Sequence, residues 1–201
     1  MVALLAWPSI SAAKTEARCG LATGFEGGLS IPTDMELKDE FRYLYHVEAD
    51  VKYYLLYLFS ISGSIGYEYG MGAPKAFFHE GEVMNLDGRG LSFIRAVPLW
   101  MTFRVEPFRR YKFNPYLGAS AGTKYMTIER MGYERQIRIS DSGKEWLFGW
   151  MGQVGFDYLF TDYFFGRMEV RYSSLPSRTE KFFLHKDYGM YDAFIGFNIY
   201  F

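Results

Sequence analysis

Apolar and polar residues change place at almost every step along most of this chain, the period of a β-strand with one wet and one dry face. The alternation is cleanest in residues 192–201, where Ala193, Ile195, Phe197, Ile199 and Phe201 share one face and Asp192, Phe194, Gly196, Asn198 and Tyr200 the other. The same period predicts seven earlier strands. Residues 20–32 set Leu21, Phe25, Leu29 and Ile31 against Ala22, Glu26 and Ser30, and residues 43–55 set Tyr43, Tyr45, Val47, Val51 and Tyr53 against His46, Glu48, Asp50 and Lys52. Residues 59–69 oppose Phe59, Ile61, Ile65, Tyr67 and Tyr69 to Ser60, Ser62, Ser64 and Glu68. In residues 91–105, Val97, Leu99, Met101 and Phe103 oppose Pro98, Trp100, Thr102 and Arg104. Pro98 predicts a bulge or a missing ladder bond there. Arg95 interrupts the apolar face, which suits a membrane interface where a long cation reaches headgroups. Residues 115–126, 146–157 and 163–172 complete the set, the last with Arg167, Glu169 and Arg171 on one face.

The connections come in two lengths. Short reversals near residues 55–58, 106–114 and 158–162 follow strands two, four and six, whereas polar segments at 32–41, 71–90, 127–145 and 173–189 follow strands one, three, five and seven. Eight strands with short links on one side and long ones on the other predict an all-β fold, an eight-stranded antiparallel up-and-down transmembrane β-barrel with its long loops outside the cell. Composition agrees. Of 201 residues, 19 are Phe and 17 Tyr, yet mean hydropathy is only −0.11, because lipid-facing and lumen-facing residues cancel in any average. The longest apolar run after the N-terminus, residues 53–59, falls far short of the ~20 residues of a membrane helix. A net charge of −1 with mixed signs leaves no basic patch for nucleic acid. The length suits one barrel domain over residues 14–201.

Residues 1–13 read as a signal peptide: Val2 to Trp7 form a short apolar core and Ser11, Ala12 and Ala13 a cleavage site, though without the basic residues that normally open such a segment. Cys19 is the sole cysteine, so no intramolecular disulfide forms, and the residues before it do not make a lipid-attachment motif.

Three stretches resemble the small eight-stranded outer-membrane barrels of the OmpA, OmpW and opacity-protein type. These are the terminal strand ending in Phe201, the turn Tyr158-Leu-Phe-Thr-Asp162 leading into Glu169-Val-Arg-Tyr172, and Phe113-Asn-Pro-Tyr-Leu-Gly-Ala-Ser-Ala-Gly122. The last is similar to a Pro-Tyr-x-Gly-Ala-x-Ala-Gly strand frequent in those families. The resemblance implies a monomer in the outer membrane of a Gram-negative-type bacterium, in contact with outer-membrane lipid and lipopolysaccharide. It also implies that Ile195, Phe197, Ile199 and Phe201 form the signal read by the barrel-assembly machinery. A soluble eight-stranded barrel alternates too, but it does not carry rings such as Tyr43, Tyr67, Tyr69, Tyr125, Tyr158, Tyr163 and Tyr172 at strand ends on its outer face, where membrane barrels place aromatic girdles.

The inward faces collect Glu26, Glu48, Asp50, Glu68, Asp157, Glu169 and Asp192 with Lys52, Arg104, Lys124, Arg167 and Arg171. Eight strands leave a lumen only wide enough for side chains. Charges enclosed there must pair or be hydrated, which favours a salt-bridged plug over an open conduit; a narrow channel for small or hydrophobic solutes, in the manner of the OmpW type, is the alternative. Phe194 and Tyr200 narrow the lumen further. Ser173, Ser174, Ser177, Glu180 and His185 fall in one stretch and invite a hydrolase reading, as in lipid A-modifying barrels, but the His-x-Ser arrangement of that deacylase family is missing. His46, His79 and His185 share no metal-ligand spacing, and no cofactor is implied. The long segments offer basic residues beside aromatics for surface contact: Phe77, Phe78 and His79; Arg130, Arg135 and Arg138; Arg178, Lys181, Phe182, Phe183 and Lys186.

Overall fold

The computed structural model describes residues 20–55, 58–74, 76–79, 82–85, 90–134, 137–177 and 187–201. The expected leader at 1–13, Cys19, Glu180 and His185 lie outside them. Eight long strands form one closed antiparallel barrel: β1 (Leu21–Pro32), β2 (Leu44–Tyr54), β3 (Phe59–Gly72), β6 (Leu91–Val105), β7 (Phe113–Glu134), β8 (Ile137–Leu159), β9 (Phe164–Ser174) and β10 (Met190–Tyr200). Each pairs with its neighbour in sequence, and β1 closes the ring on β10 from Ala22 opposite Tyr200 to Pro32 opposite Met190. A separate hairpin, β4 (Ala76–His79) with β5 (Glu82–Asn85), stands in the segment expected to be a long loop.

Burial alternates along the strands without slipping. On β2 every even residue from Leu44 to Tyr54 is buried and every odd one exposed. The exposed set over the barrel is apolar, with Phe25, Leu29, Val47, Val51, Ile65, Leu117, Phe148, Val154, Met168, Val170 and Ile195 among them. Such a surface meets hydrocarbon, not water, and it distinguishes this barrel from a soluble one. The β3–β6 ladder skips Gly66 and Tyr67 against Val97 and Pro98. Proline has no N–H to give to the ladder, so the break falls where Pro98 predicts it.

Two expectations of loop structure give way. The described residues of 127–145 are strand, not loop: β7 runs for 22 residues and β8 for 23, paired as far as Glu134 opposite Ile137. This ribbon outreaches its neighbours, because β6 ends at Leu91 opposite Met131 and β9 at Ser174 opposite Trp150. Residues 32–41 are not wholly irregular either. They contain α1 (Met35–Glu40), whose first turn is capped by Asp34 accepting a 3.1 Å hydrogen bond from the Leu37 amide. The helix crosses the long-loop mouth. Leu37 and Phe41 are buried against the barrel wall, the Ala73 amide donates to the Glu40 carbonyl at 3.3 Å, and Arg130 on β7 grips the Glu40 carboxylate by two bonds of 2.6 and 2.7 Å.

Candidate functional site in the barrel lumen

All twelve charged residues expected on the inward face are buried there, at 5 % exposure or less. They are joined by His46, which shares their face of β2, and by Glu106 and Arg109, which reasoning from the strands alone does not assign to the interior. The network forms three tiers from the short-turn end upward.

At the short-turn end, Lys52 lies 3.4 Å from both Glu106 and Asp157. Glu106 sits just beyond the end of β6 and accepts from Ser60 at 2.6 Å and Asn114 at 3.1 Å. Burial alone raises a carboxyl pKa, but the Lys52 ammonium, the Ser60 hydroxyl and the Arg104 and Arg167 guanidiniums outweigh it and hold Glu106 well below the ordinary carboxylate range. The Arg109 guanidinium stacks 3.6 Å from the Tyr54 ring centre, and Tyr200 donates a 2.7 Å hydrogen bond to the Tyr54 hydroxyl. With Phe165, these rings close that end of the barrel.

In the middle, Arg167 bridges Asp157 at 3.0 Å and Asp50 at 3.3 Å. Arg104 reaches Glu169 at 3.3 Å and donates to Gln153 at 3.0 Å when the amide oxygen faces it; Tyr116 also donates to Glu169. Arg171 is the hub. Its three nitrogens engage Glu169, Glu48 (2.9 Å) and Glu26, and its guanidinium lies 4.1 Å from the Phe194 ring centre. Glu26 and Glu48 face each other directly across the β1–β2 ladder, an arrangement that two like charges tolerate only with a cation between them. A planar fork satisfies three carboxylates where the point charge of a lysine does not.

Above the hub, Lys124 pairs with Glu68 at 2.8 Å and lies 3.6 Å from the Met190 sulfur. His46 stands 3.5 Å from Glu48 and 3.4 Å from Glu68, edge-on to Phe194. Asp192, opposite Ser30 and Arg171 in the ladders, is the one lumen carboxylate that makes no ion pair among the described residues. Beyond this tier the interior turns apolar. Leu44, Ile94, Ala96, Trp100, Met126, Ile128, Leu147, Met151 and Met190 form one buried cluster, roofed by Leu37 of α1, by Phe41 just after it and by Leu175 and Tyr188. Trp100 lies over Gly122, its ladder partner, where any side chain would overlap the indole and the Leu99 carbonyl. The tiered ion-pair network therefore fills the lower part of the lumen, and the upper part is mainly apolar. The signal for the apolar tier is present in the chain: at Trp146-Leu147-Phe148 and Trp150-Met151, both faces of the strand are apolar.

Of the residues that invite a hydrolase reading, Glu180 and His185 lie outside the described residues, and Ser174 and Ser177 bond to other carboxylates. Ser174 donates to Asp187 at 2.8 Å and Ser177 to Glu145 at 2.9 Å, while Ser173 lies buried beside Met190 in the ladder. Among the described residues no cluster of His, Cys, Asp and Glu suits a metal ion. Arg95 is half exposed and pairs with Glu129 at 3.7 Å at the upper edge of the barrel. Ile195, Phe197, Ile199 and Phe201 all lie exposed on one outer face of β10.

No family model and no curated protein matches this sequence. Solved structures do. The barrel is similar to Neisserial surface protein A, with a TM-score of 0.61 and 11% identity over 90% of this chain and 97% of that one. It is likewise similar to the outer membrane protein OprG of Pseudomonas aeruginosa, with a TM-score of 0.59 and 16% identity over 92% and 98%. At such identities the likeness establishes the fold, that of the small eight-stranded outer-membrane barrels.

Proposed function

We propose that this chain is a monomeric barrel of the outer membrane of a Gram-negative-type bacterium, serving a structural or surface-interaction role with a closed lumen and no catalysis of its own. The observation that carries the reading is the filled interior. A tiered ion-pair network spans the lower barrel, rings and Arg109 close the short-turn end, and an apolar tier under α1 closes the other. The work then falls to the outer surface, above all the projecting β7–β8 ribbon, whose outer face presents Tyr133, Arg138, Ser140, Ser142 and Lys144 to solvent, beside lipopolysaccharide. The test is single-channel conductance of folded protein in a planar bilayer. Silence across voltage is the expected result; discrete openings whose selectivity changes in Arg167→Ala or Glu169→Ala overturn it.

One observation favours a second reading. The apolar tier at the long-loop end gives a small hydrophobic solute a place to enter, which suits a narrow channel more than a wholly polar plug does.

A further inference from the structure

The boundary between the apolar tier and the charged tiers combines three features rarely found together. The first is a buried apolar wall of Met126, Ile128, Leu147, Met151, Met190 and Trp100. The second is a roof formed by Leu37 of a six-residue helix and by Phe41 just after it, beside Leu175 and Tyr188, with the helix fixed at its end by the Glu40–Arg130 ion pair. The third is Asp192 on the floor. It is 95% buried by its 5% exposure, its Oδ1 has no hydrogen-bond partner among the described residues, and it makes no ion pair there. The neighbouring cations are already engaged, Lys124 by Glu68 and Arg171 by Glu26, Glu48 and Glu169. His46 stands between Glu48 and Glu68. The floor thus holds one more carboxylate than its lysine and arginine satisfy, next to the apolar tier. A buried carboxylate without a counter-charge is costly, and a cation brought to it from outside removes that cost.

We propose that the outer tier is a binding site for an amphiphile with a protonated amine head and a medium-length alkyl tail. The amine sits against Asp192, with Ser30 opposite it in the β1–β10 ladder and Ser173 opposite the nearby Met190. The tail takes the place of the Leu37 and Phe41 side chains when α1 lifts and the Glu40–Arg130 pair parts. The wall selects for an apolar chain and the floor for positive charge, so an alcohol of equal length binds less well and a carboxylate least. This inference rests on the closed-lumen reading but is tested by binding, so an open pore and an unselective chamber give different results.

The experiment is a titration of folded protein in lipid nanodiscs with octylamine, octanol and octanoate, observed through the methionine methyl resonances. Met126, Met151 and Met190 report the chamber, whereas the exposed Met101 and Met168 report simple partition into lipid. The expected result is saturable shifts of the three buried methyls, with octylamine about tenfold tighter than octanol, the scale of one desolvated charge pair. Octanoate should leave them unmoved. In Asp192→Asn, amine and alcohol should bind within about twofold of each other. Equal binding of amine and alcohol to the parent protein overturns the proposal without any variant. So do shifts confined to the exposed methyls, or an amine preference that survives Asp192→Asn.

Discussion

Replacing Arg171 by methionine removes one cation from among three buried carboxylates while keeping most of the side-chain volume. Glu26 and Glu48 then oppose each other across the ladder with nothing between them, and Glu169 keeps only Arg104 and the Tyr116 hydroxyl. Breaking a buried ion pair by deleting one partner costs about 3–5 kcal/mol. Here Glu26 and Glu48 lose their cation at once, Glu169 loses one of its partners and the stacking on Phe194 is lost, which places the expected cost in the upper half of that range. The folding equilibrium constant should fall on the order of 10³-fold or more. Arg171→Lys should lie between the parent and Arg171→Met, because it restores the charge without the fork. The assay is reversible urea unfolding in lipid vesicles, followed by tryptophan fluorescence and by the shifted gel migration of the folded form. A cycle with Glu48→Gln should show a coupling of about 1 kcal/mol or more, since the second change removes one of the charges that the first strands. A loss under about 1 kcal/mol for Arg171→Met would refute the argument, because it would mean that the three carboxylates are solvated or neutral without the arginine.

Other expectations follow from the same geometry. Gly122→Val should destabilise by about 1–3 kcal/mol in the same unfolding assay, since its side chain overlaps the Trp100 indole and the Leu99 carbonyl. Phe41→Ala should cost about 3 kcal/mol or slightly more and speed proton exchange of the Ala73 amide, which is bonded to the neighbouring Glu40 carbonyl; unchanged exchange there would separate α1 from the roof. The pKa of Glu106 is lowered from the ordinary 4.5 to about 2 in the fold. Its ionised form therefore stabilises the barrel in full above the unfolded value, and that contribution is lost as pH falls through the folded one. Glu106→Gln should flatten this part of the acid limb in a stability-against-pH profile, and an unchanged limb would assign it to other groups.

The barrel was legible because lipid imposes alternation: each outward position on β2 or β10 must be apolar, so period two shows in the sequence. The ribbon at 127–145 was not, since past the upper edge of the apolar band the outward residues Glu129, Ser140, Ser142 and Lys144 are no longer obliged to be apolar. Backbone pairing continues there without a hydrophobic pattern to reveal it. The helix α1 is too short for a 3.6-residue period to stand out, and its Leu37 and the following Phe41 lie in a segment dense with acids. Charge drew attention to the inward faces, and that same emphasis hid the apolar tier, because Met126, Leu147 and Met151 look outward-facing when only polarity marks the lumen. Glu106 and Arg109 fall by sequence in the short reversal at 106–114; only the closing of the ring brings them to Lys52 and Tyr54.

The reach of Arg171 also bears on the order of events in folding. Its fork on β9 holds Glu26 on β1, 145 residues earlier, and Glu48 on β2, 123 residues earlier. None of these contacts can form within a hairpin. They arise only when the first and last strands meet, so the hub's charges shed their water in the final, least local step of assembly, where topology already makes closure slow. Opening the β1–β10 seam must in turn return four buried charges to water together. Loss of the hub should therefore act chiefly on the rate of unfolding, leaving the earlier hairpins to form at their usual pace.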